Sequence, residues 1–553
     1  MMWSFGRPLG ASTRGAVGVL AYTLASALAC ATLAALAIAP RASAQQCDSV
    51  WSRTSLAEMA GRRVRSLRIE TRNPVPLPLV LGLLDRLHVR TRDATIRRLM
   101  LVAAGDAVDT LRVAESLRRL RQLRYLSDAV VLGTACGDGP VDLTVLTQDL
   151  WSVRPSLQVR STSQALTLTD RNIFGTGREV TIGLKSDING IAPSAAFRDP
   201  WFLGRDVALA LTTTGTRERG ARSAAVQNRE HSILDPYGLE ARIESSAFNA
   251  DNLDTSAVGG LAVESLRRLS ALALASRRVH VSLSGVTHLS LGGEYDRIGW
   301  ETPLDGSAVP LREFAGIAGG LRRRSVAYDT VTWYLPDNAL VDVPLAFEFD
   351  ALVGVGRDRV TDAPALHVDA WAGKMWFLGR NALLIGDVWG SGFRSAGRWS
   401  AATVRAGVNY ERAARRGLWN VRLGVERWLG PDPDLRAAVS TDPTYRALGT
   451  EARRSTNTVI ASIERAVHLR RLTRSYTLDA AVFGAASSRE AAHVGMLGLG
   501  LRFAPARLGR VTARLDFSVP VLRSGDVRGR PFVAIGITPW LEQDRQRDGR
   551  GIR

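Results

Sequence analysis

The chain has 553 residues, of which 46% are hydrophobic and 23% charged. That balance is normal for a folded protein and excludes general disorder, while three Cys and 51 Gly exclude a disulfide-dense scaffold and a collagen. Lys and Arg together number 72 against 53 acids, a net charge of +19, but acids are interleaved with the arginines along the whole chain. We therefore expect no nucleic-acid partner, since a nucleic-acid-binding face concentrates its basic residues.

The first 44 residues have the pattern of a secretory signal peptide. Arg7 and Arg14 precede an apolar run over 16–39, and Ala42-Ser43-Ala44 follows it. A basic start, an apolar run and an A-x-A site predict removal of residues 1–44. A retained membrane helix is the alternative, because the run is longer than the usual signal core of about 7–15 residues.

Export affects how the cysteines are interpreted. Cys47 and Cys136 remain after cleavage, and an oxidising periplasm would let them form a disulfide; two unpaired thiols are the alternative. Residues 45–61 are interpreted as an N-terminal linker. After residue 45 no apolar run reaches 18 residues, so the mature chain is predicted to have no transmembrane helix.

Residues 62–150 have the pattern of a small α/β domain of order β-α-α-β-β. Strands are predicted at 64–69, 129–132 and 141–146, with one helix over 95–104 and a second capped by Asp109. Such a sheet leaves one edge open for strand addition. The second helix is expected to bury an apolar stripe and to carry its arginines on a solvated face. That stripe consists of Leu111, Ala114, Leu117, Leu120 and Leu123.

From Trp151 onwards the helical periodicity gives way to alternation with a period of two. Val404, Ala406, Val408 and Tyr410 alternate with Arg405, Gly407, Asn409 and Glu411. Full charges on the polar face, Trp at segment ends and segments near ten residues favour a transmembrane barrel over a soluble sandwich. We predict a mainly β protein with an antiparallel transmembrane β-barrel of about 16 strands over 151–541 and a polar tail over 542–553.

Two motifs near the start of the barrel region predict tight turns. The first is Asn172-Ile173-Phe174-Gly175-Thr176-Gly177, and the second is Asp199-Pro200-Trp201-Phe202-Leu203-Gly204. Glycines permit positive φ, and Asp-Pro makes a rigid turn. Trp201 and Phe202 are expected to anchor the barrel at the membrane interface.

In this order, and after a small α/β module, the two motifs resemble the BamA/TamA-like outer-membrane assembly superfamily, the bacterial surface antigen family. Residues 62–150 are similar to a POTRA domain of that family, through Gly105-Asp106 and the segment Leu120-Arg121-Gln122-Leu123-Arg124-Tyr125. The resemblance implies a location in the bacterial outer membrane, with the POTRA-like domain in the periplasm. It implies outer-membrane lipids and unfolded client proteins as partners, with periplasmic or lipoprotein partners as a further option.

Two further features of that family fall in the last quarter of the chain. The resemblance implies an arginine on a long loop that folds into the lumen; Arg453 or Arg454 can take its place, and Glu464 matches the glutamate on the next strand. Gly536 and Trp540 in the last strand are similar to the C-terminal barrel signal. Pro539 cannot donate a ladder hydrogen bond, which fits either a weak closing seam or a simple strand end.

The sequence has no catalytic, metal-binding or cofactor-binding pattern, so we expect no enzyme activity and no cofactor. Its seven His are scattered, without His-Glu-x-x-His, and no Gly-x-Ser-x-Gly occurs. Charged residues of the barrel region are interpreted as luminal ion-pair networks. They are Arg405, Glu411, Arg422, Glu426, Glu464, Arg514 and Asp516.

Three functions remain open at this point. The leading hypothesis is assistance in the insertion or translocation of other proteins by strand addition. A passive outer-membrane pore or structural barrel with a docking module is the second, and lipid handling between membranes is the third.

Overall fold

A computed structural model of the chain describes residues 52–54, 57–74, 88–135, 137, 139–160, 163–187, 190–215, 220–228, 232–249, 265–301, 308–331, 341–414, 417–429, 457–473, 476–489, 492–505, 511–524 and 532–539. The predicted signal peptide, Cys47, Cys136, Arg453, Arg454, Trp540 and the predicted tail lie outside these residues. Among the helices in the ranges just given, none has the length and apolar character needed to cross a membrane.

The N-terminal elements form one α/β module around a four-stranded sheet. They are β1 (Ser52–Thr54), β2 (Val64–Arg72), α1 (Asp93–Leu99), α2 (Thr110–Gln122), β3 (Leu126–Ala135) and β4 (Val141–Asp149). The sheet order is β1-β3-β4-β2, with β2 parallel to β4. The predicted β-α-α-β-β order is found, and β1 adds a strand that pairs with Gly133–Ala135 at one end of β3. The chain itself therefore covers part of the sheet edge that was predicted to be open.

The module has an apolar core between its helices and its sheet. Asp109 caps α2 as predicted, because its side chain accepts hydrogen bonds from the N–H groups of Leu111 and Arg112. The predicted stripe of α2 is only partly correct: Leu120 is fully buried, but Leu111 is exposed and Val113 is buried instead. The predicted solvated arginine face is also only partly correct, since Arg112 is exposed but Arg118 and Arg119 are buried.

In the part of the chain that the structure describes, twenty antiparallel strands form a ring. They are β5 (Val153–Arg160), β6 (Ser163–Ile173), β7 (Arg178–Asp187), β8 (Gly190–Asp199), β9 (Ala208–Gly215), β10 (Gly220–Gln227), β11 (Tyr237–Asn249), β12 (Ser265–Val281), β13 (Gly285–Glu301), β14 (Ala308–Ser325), β17 (Glu348–Asp358), β18 (Ala363–Phe377), β19 (Ala382–Ser395), β20 (Arg398–Ala414), β21 (Gly417–Leu429), β22 (Asn457–Thr473), β23 (Tyr476–Arg489), β24 (Ala492–Pro505), β25 (Val511–Ser524) and β26 (Phe532–Pro539). Between β14 and β17, β15 (Tyr328–Val331) and β16 (Val341–Pro344) form a separate hairpin.

The strand number exceeds the predicted sixteen for a simple reason. That prediction assigned about 24 residues to each strand with its connection. The first six barrel strands, β5 to β10, have only 8 to 11 residues each and follow one another closely between residues 153 and 227. The predicted architecture, a mainly β antiparallel barrel preceded by a small α/β unit, is confirmed.

Side chains of the barrel alternate between an apolar outer face and a polar inner face. On β25, Leu515 and Phe517 are exposed on the outside, while Asp516 between them is buried. Likewise Leu423 on β21 is 51% exposed, whereas Glu411 on neighbouring β20 is 2% exposed. Apolar side chains that face outward and charges that face inward are typical of a barrel surrounded by hydrocarbon.

Candidate functional site

The first sequence motif forms the β6–β7 turn, and Asn172 joins this turn to the α/β module. Asn172 is buried, and its Oδ1 accepts a hydrogen bond from the N–H of Gly177 at 2.8 Å, which closes the turn. Its Nδ2 donates to Oγ1 of Thr91 in the module at 2.7 Å. One amide side chain therefore shapes the barrel turn and binds the module to it.

Gly175 and Gly177 let the module approach the turn closely. Both have positive φ, 72° and 74°, as predicted for a tight turn. The carbonyl of Gly175 accepts hydrogen bonds from the N–H of Arg92 at 3.0 Å and from the hydroxyl of Thr95 at 2.9 Å. A Cβ on Gly175 would collide with the carbonyl oxygen of Arg90, and a Cβ on Gly177 would lie 2.6 Å from the hydroxyl of Tyr125. By contrast Phe174, which also has positive φ, is 68% exposed.

The second motif forms the β8–β9 connection, and its tryptophan belongs to the core of the module. Asp199 accepts hydrogen bonds from the N–H of Trp201 at 2.9 Å and from Nε of Arg178 at 3.0 Å. Trp201 is 6% exposed and packs in the apolar cluster of the module, with the Arg98 guanidinium 5.7 Å from its ring. The expectation that Trp201 anchors at the membrane interface is therefore wrong. Pro200, Phe202 and Gly204 lie in the same connection, with Phe202–Gly204 in a short 3₁₀ turn.

Helix α2 is bound to the barrel rim through Glu115. This carboxylate pairs with Arg118 at 2.5 Å and accepts hydrogen bonds from the Ser232 hydroxyl at 3.2 Å and the Ile233 N–H at 3.1 Å. Both Ser232 and Ile233 lie in the β10–β11 connection. Farther along α2, Arg121 donates to Asp342 of β16 at 2.8 Å.

Burial changes the acid–base properties of the module's side chains. Burial lowers the pKa of Arg118, but the charge of Glu115 and the hydrogen bonds to it outweigh that effect, so the net pKa is raised and the guanidinium stays charged. Burial lowers the pKa of Arg119, whose Nη1 donates to the Leu99 carbonyl at 2.9 Å. Burial, followed by the negative charge of Asp149, raises the pKa of Tyr125, which keeps its hydroxyl neutral beside Gly177.

The ring of strands closes at a seam between β26 and β5, and this seam is weakly paired. Only Ile535 with Val159 and Gly536 with Gln158 are in register there, among the residues described. The ladders on either side, β25–β26 and β5–β6, each have eight register pairs. Gly536 of the predicted C-terminal signal thus lies in the seam itself.

The seam is next to the module because β5 begins directly after it. The N–H of Leu150 donates to the Tyr125 carbonyl at 2.7 Å, and the N–H of Arg171 on β6 donates to the Ser152 carbonyl at 3.1 Å. Nη2 of Arg154 on β5 donates to the carbonyl of Arg124 in the module at 2.7 Å. The first strand of the seam is therefore tied to the docked module.

The lumen holds ion pairs that include five of the predicted residues, Arg405, Glu426, Glu464, Arg514 and Asp516, while Glu411 accepts hydrogen bonds from Asn409 and Asn420. Glu464 pairs with Arg502 at 3.2 Å, and Arg502 also pairs with Asp516, which accepts from Arg514 at 2.8 Å. Arg405 pairs with Glu426 at 2.7 Å. His367 lies 2.7 Å from Glu294. Arg453 and Arg454, which were predicted to approach Glu464, lie outside the described residues.

Sequence reasoning missed several residues that bind the module to the barrel. They are Thr91, Thr95, Glu115, Ser232 and Asp342, while Tyr125 was noted only as part of the POTRA-like segment and not for its contact with Gly177. For the pair Glu115 and Arg118 a signal existed, because their spacing of three residues on a helix allows an ion pair. The other contacts join segments that are far apart in sequence.

These features define the class of protein: an antiparallel β-barrel with an apolar outer face and an α/β module docked on one rim. No protein-family model and no curated protein matches the chain. Among solved structures it is similar to CdiB from Escherichia coli, with 9% identity over 88% of this chain and 80% of that chain and a TM-score of 0.39. It is also similar to CdiB from Acinetobacter baumannii, with 10% identity over 87% of this chain and 74% of that chain and a TM-score of 0.37. It is also similar to BamA from Haemophilus ducreyi lacking POTRA domains 1–3 (12% identity, 86% of this chain and 85% of that chain, TM-score 0.32).

Proposed function

We propose that this protein lies in the bacterial outer membrane and assists the insertion or translocation of other proteins by strand addition. The observation that carries the proposal is the β26–β5 seam, which has two register pairs where each adjoining ladder has eight. Strand edges that lack partners are templates for an incoming extended segment.

The energetics of the seam favour a client strand. Backbone groups that face hydrocarbon without a hydrogen-bond partner cost several kcal/mol each, by order of magnitude. An extended client segment that pairs with β5 or β26 would satisfy such groups. Insertion would thus be driven by client pairing and membrane burial, without a nucleotide or other cofactor.

The docked module supplies a route to the seam. We assign it as a POTRA-like domain on the periplasmic side, where unfolded clients arrive. Its contacts through Arg154 and Leu150 place the start of β5 beside the module. A client bound to the module is therefore presented next to the seam, and periplasmic or lipoprotein partners would bind the module from the same side.

A reversible lock on the seam tests this function. In a background whose native cysteines are replaced by serine, Gln158→Cys with Gly536→Cys would join the register pair of the seam. The matched control is Ser156→Cys with Thr167→Cys, a register pair of the fully formed β5–β6 ladder. Oxidation of the seam pair is expected to stop client insertion into liposomes, and reduction to restore it, while the control pair has no effect. Unchanged insertion through an oxidised seam would refute the proposal.

A passive pore is the second candidate, and the strand number favours it. Barrels of about 16–18 strands already leave an aqueous channel, and twenty strands enclose a wider one. Part of the inner wall carries neutral hydroxyls that bond across strands, with Thr169 2.9 Å from Thr181 and Thr212 2.6 Å from Ser223. Steady ion conductance without client, unaffected by the seam lock, would favour the pore over assembly.

A further inference from the structure

A row of two arginines and a tryptophan lies on the outer face of the barrel. Arg412 of β20 is in register with Trp419 of β21, and Trp419 is in register with Arg465 of β22. Their sequence neighbours Glu411, Asn420 and Glu464 take part in polar contacts of the inner face. Because side chains alternate along a strand, the three residues of the row face outward.

The row is at the same end of the barrel as the module. All barrel strands are antiparallel neighbours in the ring, so the connections between them alternate between the two ends. The β6–β7 turn meets the module through Asn172, and the β20–β21 connection, beside Arg412 and Trp419, is at that same end. The row therefore lies toward the module side of the outer surface.

The arginines of the row are suited to an anion. The Arg465 guanidinium is 5.1 Å from the centroid of the Trp419 ring, which orients it. Its Nη1 is buried and has no hydrogen-bond partner within the described ranges. Arg412, on the other side of the exposed Trp419 ring, is itself exposed. Exposed guanidinium groups such as that of Arg412 form charge-assisted hydrogen bonds with phosphate oxygens, and the positive charge of Arg465 beside the Trp419 ring adds to the attraction.

Above the row, toward the middle of the barrel, the outer surface is apolar. Val421 and Leu423 follow Trp419 on β21, and Ile463 and Val408 lie on the strands beside them; all four are exposed. This column has the position that acyl chains would occupy, with the arginines and the indole at headgroup depth.

We propose that the Arg412–Trp419–Arg465 row is a binding site for the phosphate of an anionic phospholipid in the leaflet on the module side. The inference rests on the barrel lying in a bilayer, and it is independent of client transport. The apolar column receives the acyl chains, and the two guanidinium groups clamp the phosphate.

Native mass spectrometry of the full-length protein in detergent tests the site, with phosphatidylglycerol and phosphatidylcholine as probes. We expect the wild type to prefer phosphatidylglycerol by about thirtyfold, because two arginines contribute to the site. Arg412→Gln with Arg465→Gln should abolish the preference, and Arg412→Lys with Arg465→Lys should keep most of it. Heat-dependent gel migration confirms that each variant is folded.

Arg427→Gln is the matched control, because Arg427 is exposed on the same face of β21 at its other end. It should bind phosphatidylglycerol as the wild type does. The proposal would be overturned if Arg427→Gln lost the preference for phosphatidylglycerol as fully as the Arg412/Arg465 glutamine variant does. It would also be overturned if the Arg412/Arg465 glutamine variant kept that preference unchanged. Tighter binding of lipid A than of phosphatidylglycerol that is lost in the Arg412/Arg465 glutamine variant would overturn it too, because lipid A lies in the opposite leaflet. Lipid binding by the oxidised Gln158→Cys/Gly536→Cys protein should equal that of the wild type, which separates this site from the transport role.

Discussion

Pro155 on β5 and Pro539 on β26 fall opposite each other when the register of the seam is continued toward the module. The pairs Ile535–Val159 and Gly536–Gln158 set that register, and both prolines lie within their strands. Proline has no N–H, so neither strand can donate a ladder hydrogen bond at this position. The seam therefore lacks these two donors at its module end.

Replacing these prolines should stabilise the barrel and impair insertion. Pro155→Val with Pro539→Val restores two donors, each contributing about 1 kcal/mol, in a residue type that strands favour. We expect a higher temperature for the loss of compact gel migration and slower client insertion. Pro193→Val, in β8 away from the seam, is the control. If it slows insertion as much as the seam variant does, the effect does not come from the seam.

The sequence predicted the barrel well because its signal is local. Alternation over 404–411 and 512–519 places strands and assigns their faces, and β20 and β25 follow it. Periodicity alone could not predict the number of strands. Short strands such as β9 and β10 have few alternating residues and are separated by short connections. An average spacing per strand therefore gave too few strands.

Gly177→Ala should weaken docking of the module through two separate effects. Positive φ strains an alanine by about 1 kcal/mol, and its Cβ would also collide with the Tyr125 hydroxyl. Gly105→Ala has the same kind of strain but open space around it, so it isolates the first effect. Faster protease cleavage between the module and β5 is expected for Gly177→Ala, and Tyr125→Phe should rescue it in part. A complete absence of rescue would show that the collision is unimportant.

The docking contacts show where sequence reasoning fails. Asn172 and its glycines predict a turn, because they act on their own backbone. Thr91 and Tyr125 are 81 and 52 residues from their partners Asn172 and Gly177, and no local pattern links them. Trp201 is a similar case: an aromatic residue after Asp-Pro has the same sequence pattern whether it faces lipid or the core of a module.

Glu115→Ala should release α2 from the barrel rim. It leaves the buried Arg118 without its partner, at a cost of about 3–5 kcal/mol, and removes the acceptor used by Ser232 and Ile233. Hydrogen exchange over 232–236 is expected to become faster. The double variant Glu115→Ala with Arg118→Met also removes the unpaired charge. It should recover most of the stability without restoring protection from hydrogen exchange over 232–236. Recovery of both would mean that Glu115 does not hold the rim.

Acid should destabilise the module through Asp142, which joins β4 to β2. Its carboxylate accepts hydrogen bonds from Ser66 at 2.6 Å and from Nε of Arg65 at 3.0 Å. Burial raises the pKa of Asp142, but the hydrogen bonds from Arg65 and Ser66 and the charge of Arg65 outweigh it, so the pKa lies below the ordinary 3.8. The folded module thus holds its proton less tightly than the unfolded chain does. The resulting stabilisation is present above pH 3.8 and is lost as the pH falls through the lowered pKa.

We therefore expect hydrogen exchange of the β2 and β4 amides, corrected for the intrinsic rate, to show weaker protection as the pH falls below about 4. Asp142→Asn should show weaker protection already at pH 7, with little further loss in acid, because its side chain does not titrate in this range. Ser66→Ala removes one of the two hydrogen-bonding partners and should give a smaller loss at pH 7. If Asp142→Asn loses protection in acid as steeply as the wild type, another carboxyl group governs the transition.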